Sequence, residues 1–434
     1  MRKKYSAVVV LMITALLVVC ANNAMAQPAA LSTTVTAPSS SVANPADAGV
    51  RAHTNIKLLG TGRMIGTPQY YGPPFPGYFF ETPASIACIY GLQVPFAGCN
   101  PNVVFLNPNG GSRAIAIVDA YDDPNAYSDL QGFSAQFGLA AINPTSFQVV
   151  YAPFGGNNPG SCLPGPAPEP PSAAAAGWDL EESLDIEWSH AMAPLATLYL
   201  VEAQSDYLTD LFCAVSVASA LVSAAGGGEV SMSWGTGEFS GENSIDGIFN
   251  GRKVVYFAGA GDGPGAIYPS ASPNVVSVGG TTLSTNPNSG RFLLENTWQD
   301  TGGGASAVEP RPSYQNSIAG IVGAYRGTPD VSADSNPNTG VWVLDSLVFG
   351  PGTWYIVGGT SLATPMWSGI VNSAGSFAAS SRAELTKLYG GSPHGPSGFT
   401  DITVGNCGIY IGNVAAEGWD FCSGLGSPKT YSGK

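Results

Sequence analysis

Short, nearly unbroken apolar runs recur along this chain, most of them followed by a segment of helical spacing. AIAIVDAY (114–121) is the first. A strand that is apolar at every position must be covered on both faces, as in a parallel sheet between two helical layers. NAYSDLQGFSAQFGL (125–139) has helical spacing and FQVVYA (147–152) reads as the next strand, so a parallel crossover is predicted. The alternation continues with helix WDLEESLDIEWSHAMAP (178–194), closed by Pro194, strand ATLYLVEA (196–203) and helix TDLFCAVSVASALVSA (209–224). Strands EVSMSW (229–234), KVVYFAGAG (253–261) and NVVSVGG (274–280) follow, and strand WYIVGG (354–359) runs into helix SLATPMWSGIVNSAG (361–375). This pattern predicts an α/β fold, a doubly wound and mostly parallel sheet with helices on both faces, in a single domain.

The flanks read differently. Residues 27–52 have no helical period, and 53–113 are rich in Gly, Pro and aromatics. Residues 27–78 are therefore expected to be a flexible spacer or short prosegment, with the domain proper over 79–434. PGPAPEPPSAAAAG (164–177) reads as a loop, and the Gly/Asn/Pro-rich stretch 284–345 as hairpins and loops. Arg2-Lys3-Lys4, the apolar stretch from Tyr5 to Cys20 and Ala24-Met25-Ala26 before Gln27 have the order of a secretory signal peptide over 1–26. Lipidation at Cys20 is disfavoured by the bulky Val19 in front of it.

Without that leader the chain carries 13 basic against 30 acidic residues. Such an acidic balance argues against nucleic-acid partners and, once the leader is removed, against anionic membranes. Six cysteines remain: Cys88, Cys99, Cys162, Cys213, Cys407 and Cys422. In an exported chain they read as disulfides. Short loops suggest Cys88–Cys99 and Cys407–Cys422, leaving Cys162–Cys213, although six cysteines allow about 15 connectivities.

Three stretches carry candidate chemistry. Gly358-Gly359-Thr360-Ser361 sets a serine at a glycine turn between strand and helix, as a subtilisin-type nucleophile would be. Serine is also a good helix cap. The chain has only three histidines, His53, His190 and His394, and none lies in a His-Gly-Thr-like turn, so the usual base is missing. Glu181 and Asp185, four apart on a predicted helix, offer a carboxylate alternative. Like charges at that spacing raise and couple their titration. No Lys or Arg lies within reach on that helix to neutralise them, and its other residues are core-like. A solvated acidic face is the ordinary reading of such a pair. Asp262, in GAGDGPGA after a predicted strand, matches the place of a subtilisin oxyanion donor, and a carboxyl donates there only when protonated. An ordinary Asp-Gly turn is the alternative.

Taken together, EESLDIEWSHAMAPLATLYLVEA, SMSWG, GAGDGPGAIYPSASPNVVSVGGTTL, TPDVSADSNPNTG, GGTSLATP, FTDITVGN and EGWDFCSGLGSP resemble the sedolisin family of serine-carboxyl peptidases (peptidase family S53), near its kumamolisin-like branch. They occur in the family's order across roughly residues 80–430. The resemblance implies a subtilisin-like fold, Ser361 as nucleophile, Glu181 as its base, Asp185 orienting Glu181, and Asp262 as oxyanion donor. It also implies Asp119 and Trp234 as supports of that network. Asp401 and Asp420, through carboxylates, and Ile402, Ala416 and Gly418, through carbonyls, would bind one structural Ca2+, a hard-oxygen set.

The implied activity is hydrolysis of peptide or protein substrates by a secreted monomer, as an endopeptidase or tripeptidyl-peptidase. A carboxylate base and a protonated Asp262 would place maximal activity at roughly pH 3–5. The alternative is a catalytically inactive sedolisin-like protein that binds peptides. The family usually carries a large N-terminal prodomain, whereas here about fifty residues separate leader and domain.

Overall fold

The structure is a computed structural model that describes residues 34–60, 64–65, 71–390, 397–408 and 413–434. The leader with Cys20, and His394, lie outside the described residues. The regular elements follow the apolar runs closely. Strand β1 (Ala114–Ala120) leads to helix α1 (Ala126–Phe137), strand β2 (Phe147–Tyr151), helix α2 (Asp179–Met192) and strand β3 (Thr197–Ala203). Helix α3 (Leu208–Ala224) and strands β4 (Gly228–Met232), β5 (Val254–Gly259) and β6 (Val276–Thr285) come next. Strands β7 (Phe292–Thr297) and β8 (Val331–Asp334) follow. Strand β9 (Thr353–Gly358) then enters helix α4 (Thr360–Ala374).

The main sheet has the order β7-β6-β5-β4-β1-β3-β2, with β8 also pairing β6. Every pairing in it is parallel except β6–β7. From β1 the chain crosses to the edge strand β2 and returns to β3, which lies between them, and then winds outward through β4, β5 and β6 on the other side. The carboxyl ends of β1 and β4 therefore form a switch point, where open α/β sheets place their ligands.

Strand alternation assigns the two covering layers. Ala116 and Val118 of β1 pack with Leu211 and Val215 of α3, whereas Ile115 and Ile117 pack with Ile186 of α2. Asp119, two residues beyond Ile117, thus shares the face that α2 covers. On β5, Tyr256 and Ala258 join the α3 side, and Val255 and Phe257 join Trp188 of α2 and Met366 of α4. Helices α2 and α4 approach closely because Gly369 has no side chain. A Cβ there would lie 2.7 Å from the Met192 Cβ and 2.8 Å from the Ser189 carbonyl.

Three disulfides close Cys88–Cys99, Cys162–Cys213 and Cys407–Cys422, the pairing suggested by loop length. No helix among the described residues is long and apolar enough to cross a membrane.

Three regions differ from the sequence reading. Strand β9 belongs not to the main sheet but to a second, antiparallel one with Val341–Leu344, Lys57–Leu59, Met64–Ile65 and Val35–Thr36. The stretch 284–345 contributes β7 and β8 to the main sheet. From Thr34 onward, the described part of the segment read as a flexible spacer is likewise woven into the fold. Its strands are two or three residues long, too short for any periodicity to show.

Candidate functional site

Ser361 lies in the first turn of α4, immediately after β9. Gly359 makes the turn possible: its φ is +98°, and a Cβ there would strike the Asn55 carbonyl oxygen at 2.0 Å. Pro365 sits four residues past Ser361 and has no N–H, so the Ser361 carbonyl loses its usual helical donor. Ser233 supplies a substitute, its Oγ donating to that carbonyl at 3.3 Å. In return the Ser361 Oγ donates to the Ser233 carbonyl at 3.0 Å. The serine is thereby tied to the residue between β4 and Trp234.

Helix α2 brings Glu181 and Asp185 to the same place, and β1 brings Asp119; all three are fully buried. Burial pushes the Asp119 carboxyl up to about 8. The Glu181 carboxyl is raised by burial and then by Asp119, against a lowering influence of the nearby Ser361 hydroxyl. Asp185 is raised by burial, Asp119 and Glu181, and lowered by the Ser233 hydroxyl. None of these hydroxyl contacts is a closed hydrogen bond here. Three clustered carboxyls in a dry site cannot all ionise, so they share protons and titrate together.

Asp262 follows β5 at the opposite edge of the Ser361 turn. Its Oδ1 accepts the Thr360 N–H at 2.8 Å and the Thr360 hydroxyl at 3.0 Å. Its Oδ2 is buried, makes no hydrogen bond, and faces the side of Gly359 that the Asn55 carbonyl also occupies. Burial raises this carboxyl to about 7, against Lys57 and the Thr360 donors. In acid it is a neutral carboxyl beside the Gly359 turn that precedes Ser361. Trp234 points to the other face of the sheet: it packs with the α3 cluster and its indole N–H donates to the Val118 carbonyl at 2.7 Å. Its link to the carboxyls therefore runs through the backbone before Asp119.

The histidines stand elsewhere. His190 is nine residues from Glu181 on α2, about 13 Å along the axis. Its Nε2 lies 2.9 Å from the Ala140 carbonyl, and burial lowers it to about 4. His53 lies at the rim with Nδ1 3.2 Å from the Thr54 carbonyl, its pKa lowered chiefly by burial.

Near the C-terminus four of the residues named for calcium are linked by hydrogen bonds. Asp420 accepts the Ala416 N–H at 3.0 Å and Asp401 accepts the Gly418 N–H at 2.9 Å, so both carboxylates grip one turn. Ile402, beside Asp401, is buried. This donor set suits a hard cation. A second acidic group was not anticipated: Asp123, Asp129 and Asp345 are buried with carboxylate oxygens within 4.8 Å of one another and could hold a metal ion. Sequence reading also missed Ser233, Thr360 and Asn55. The first two adjoin residues it named; Asn55 has no local signal.

The chain is similar to several known proteins. The chain is 30 % identical over 357 residues to kumamolisin of Bacillus sp. (strain MN-32), covering 74 % of this chain and 59 % of that protein. It is 27 % identical over 360 residues to sedolisin of Pseudomonas sp. (strain 101), covering 74 % and 57 %. Tripeptidyl-peptidase 1 of Rattus norvegicus is 36 % identical over 180 residues, 37 % of this chain and 29 % of that one. The chain thus spans less than two thirds of the length of these relatives. Pseudomonas sedolisin, a serine-carboxyl proteinase solved with two molecules of pseudo-iodotyrostatin, superposes with a TM-score of 0.59 at 24 % identity, over 81 % of this chain and 95 % of that one. No family model matches.

Proposed function

The chain belongs to the sedolisin family, and we propose that it is a secreted serine-carboxyl peptidase that hydrolyses peptide bonds in acid. One observation carries the reading. The Ser361 hydroxyl sits at a helix amino end beside the buried Glu181 carboxyl, and neither described histidine is placed to serve it. Turning the Ser361 O–H from the Ser233 carbonyl toward Glu181 gives the nucleophile its base. Asp185 and Asp119 favour a shared proton in the cluster, and Asp262 donates to the developing oxyanion together with the Ser361 N–H.

The upper pH limit of activity follows from Asp262. Asp262 must keep its proton to donate, and burial holds it only until the pH approaches about 7. Tripeptidyl-peptidase 1 and the serine-carboxyl proteinase act on peptides or proteins by their names, so peptide or protein substrates are proposed for this chain. Its three disulfides suit an exported protein. Asp401, Ile402, Ala416, Gly418 and Asp420 would hold Ca2+, which would tie the C-terminal loop to the fold. The test is turnover of a reporter peptide at about pH 4 by wild type and Ser361→Ala. Turnover by the first alone supports the reading; equal turnover, or none in either, overturns it in favour of a peptide-binding protein.

A further inference from the structure

The buried acidic group beside α2 gains a fourth carboxyl from the helix itself. We propose that Asp123, Asp129, Asp345 and Glu187 hold a calcium ion, separate from the one assigned to Asp401 and Asp420, and that it clamps the turn after β1 against α2.

Four segments supply the carboxyls. Asp123 comes from the turn after β1, Asp129 from the first turn of α1, Glu187 from the body of α2, and Asp345 from the end of strand Val341–Leu344. Asp123, Asp129 and Asp345 each bring one carboxylate oxygen within 4.8 Å of the other two. Backbone donors hold each of them in place. Asp123 Oδ1 accepts the Asn125 N–H at 2.8 Å and Asp345 Oδ1 the Leu347 N–H at 2.9 Å. Asp129 Oδ2 accepts the Ser346 N–H at 2.8 Å and the Ser346 hydroxyl at 2.9 Å. Among the described residues, no ion pair involves any of the four.

Glu187 is the observation that points to a ligand. It is 0 % exposed, and its Oε2 accepts the Leu344 N–H at 3.1 Å, one residue before Asp345. Its Oε1 is buried and has no partner. Burial raises this carboxyl, the Leu344 donor lowers it, and Asp129, Asp345 and Asp123 raise it again, so it looks onto all three. The Asp123 Oδ2 is likewise buried without a partner. Buried acceptors left without a donor are costly, and neighbouring carboxylates repel one another. A cation among them removes both penalties at once.

The donor set selects the cation. Calcium takes roughly six to eight oxygens in adaptable geometry, whereas magnesium demands a near-ideal octahedron and keeps several waters. Four carboxyls from four segments, all buried, match the first demand and leave little room for the second. The position gives the ion a role. Helix α2 also carries Glu181 and Asp185, and β1 carries Asp119. The Trp188 indole N–H donates to the Trp342 carbonyl at 3.1 Å, tying α2 to the strand that leads to Asp345. An ion across these segments would fix the helix bearing Glu181 against the strand bearing Asp119.

The experiment strips the purified full chain of metal with a chelator and titrates calcium chloride by calorimetry at neutral pH, since ligands bind only as carboxylates. Wild type should bind one ion that Glu187→Gln loses or holds at least roughly tenfold more weakly. Asp401→Asn should leave that ion in place. Glu187→Gln keeps an acceptor for the Leu344 N–H, and its melting temperature in chelator should equal or exceed that of wild type. Should it fail to fold, Asp123→Asn, which keeps the acceptor for the Asn125 N–H, carries the same test. No calcium binding by wild type, binding that the folded variant leaves unchanged, or a single ion that only Asp401→Asn removes would each overturn the proposal. Shared protons alone would then hold the four carboxyls together.

Discussion

Replacing Asp262 by Asn separates a hydrogen-bond donor from its proton. In the wild type, Oδ1 is committed to the Thr360 N–H and hydroxyl, and Oδ2 must carry a proton to donate. An asparagine keeps the first role through its carbonyl oxygen and supplies the second through an N–H that does not titrate. At about pH 4, well below the value of about 7, the wild-type donor is fully protonated. Asp262→Asn should then stay within roughly tenfold of wild-type kcat/KM. Asp262→Ala, which removes the donor, should lose roughly 100- to 1,000-fold. Above about 7 the wild type should fall roughly tenfold per pH unit as the donor ionises, while Asp262→Asn lacks this fall. Initial rates of reporter cleavage across the pH range test this, with samples returned to acid to confirm that activity survives. If Asp262→Asn loses as much as Asp262→Ala, or falls with pH as the wild type does, Asp262 is not a proton-dependent donor.

Other outcomes follow from the same physics. Burial raises Asp119, Glu81 and Glu229 each to about 8, so their folded pKa values exceed the unfolded ones; this stability is present in acid and lost as pH rises through about 8. Calorimetry should give a higher melting temperature at about pH 4 than at about pH 8, and the reverse order would contradict it. Chelating calcium should lower the melting temperature, with about 2.7 kcal/mol at stake when free Ca2+ is a hundred times its dissociation constant. Asp401→Asn should shrink that response, and an unchanged response would exclude this site. Replacing Cys162 and Cys213 by serine opens a 51-residue loop and should cost about 4 kcal/mol in denaturant unfolding. The 11-residue Cys88–Cys99 loop should cost about 3 kcal/mol. Equal costs would argue against a chain-entropy origin.

The main sheet was legible because its central strands must be apolar on both sides, a pattern few other structures produce. AIAIVDA and VVYFAG became β1 and β5 within a residue or two of their predicted ends. Glu181 and Asp185 were visible as a pair because α2 has one period and no cation nearby. What could not be read depends on distant backbone. Strand β8 is four residues long, and His53–Thr54 is a two-residue strand paired with residues 234–235. Ser233 gains its role from the missing N–H of Pro365, a relation visible only once β4 and α4 are side by side. Asn55 lies 306 positions from Ser361, and nothing around it in the sequence announces the contact.

The whole mechanism turns on which group removes the serine's proton, and Glu181→Gln tests that with almost no change of shape. Because the Glu181 carboxyl is buried and raised, an amide of equal size should preserve the fold, as a melting curve in acid can verify. Measured as acylation of Ser361 by an ester reporter at about pH 4, the variant should lose at least roughly 1,000-fold. Acylation within tenfold of wild type would mean that some other group takes the proton, and the carboxylate-base account would be wrong.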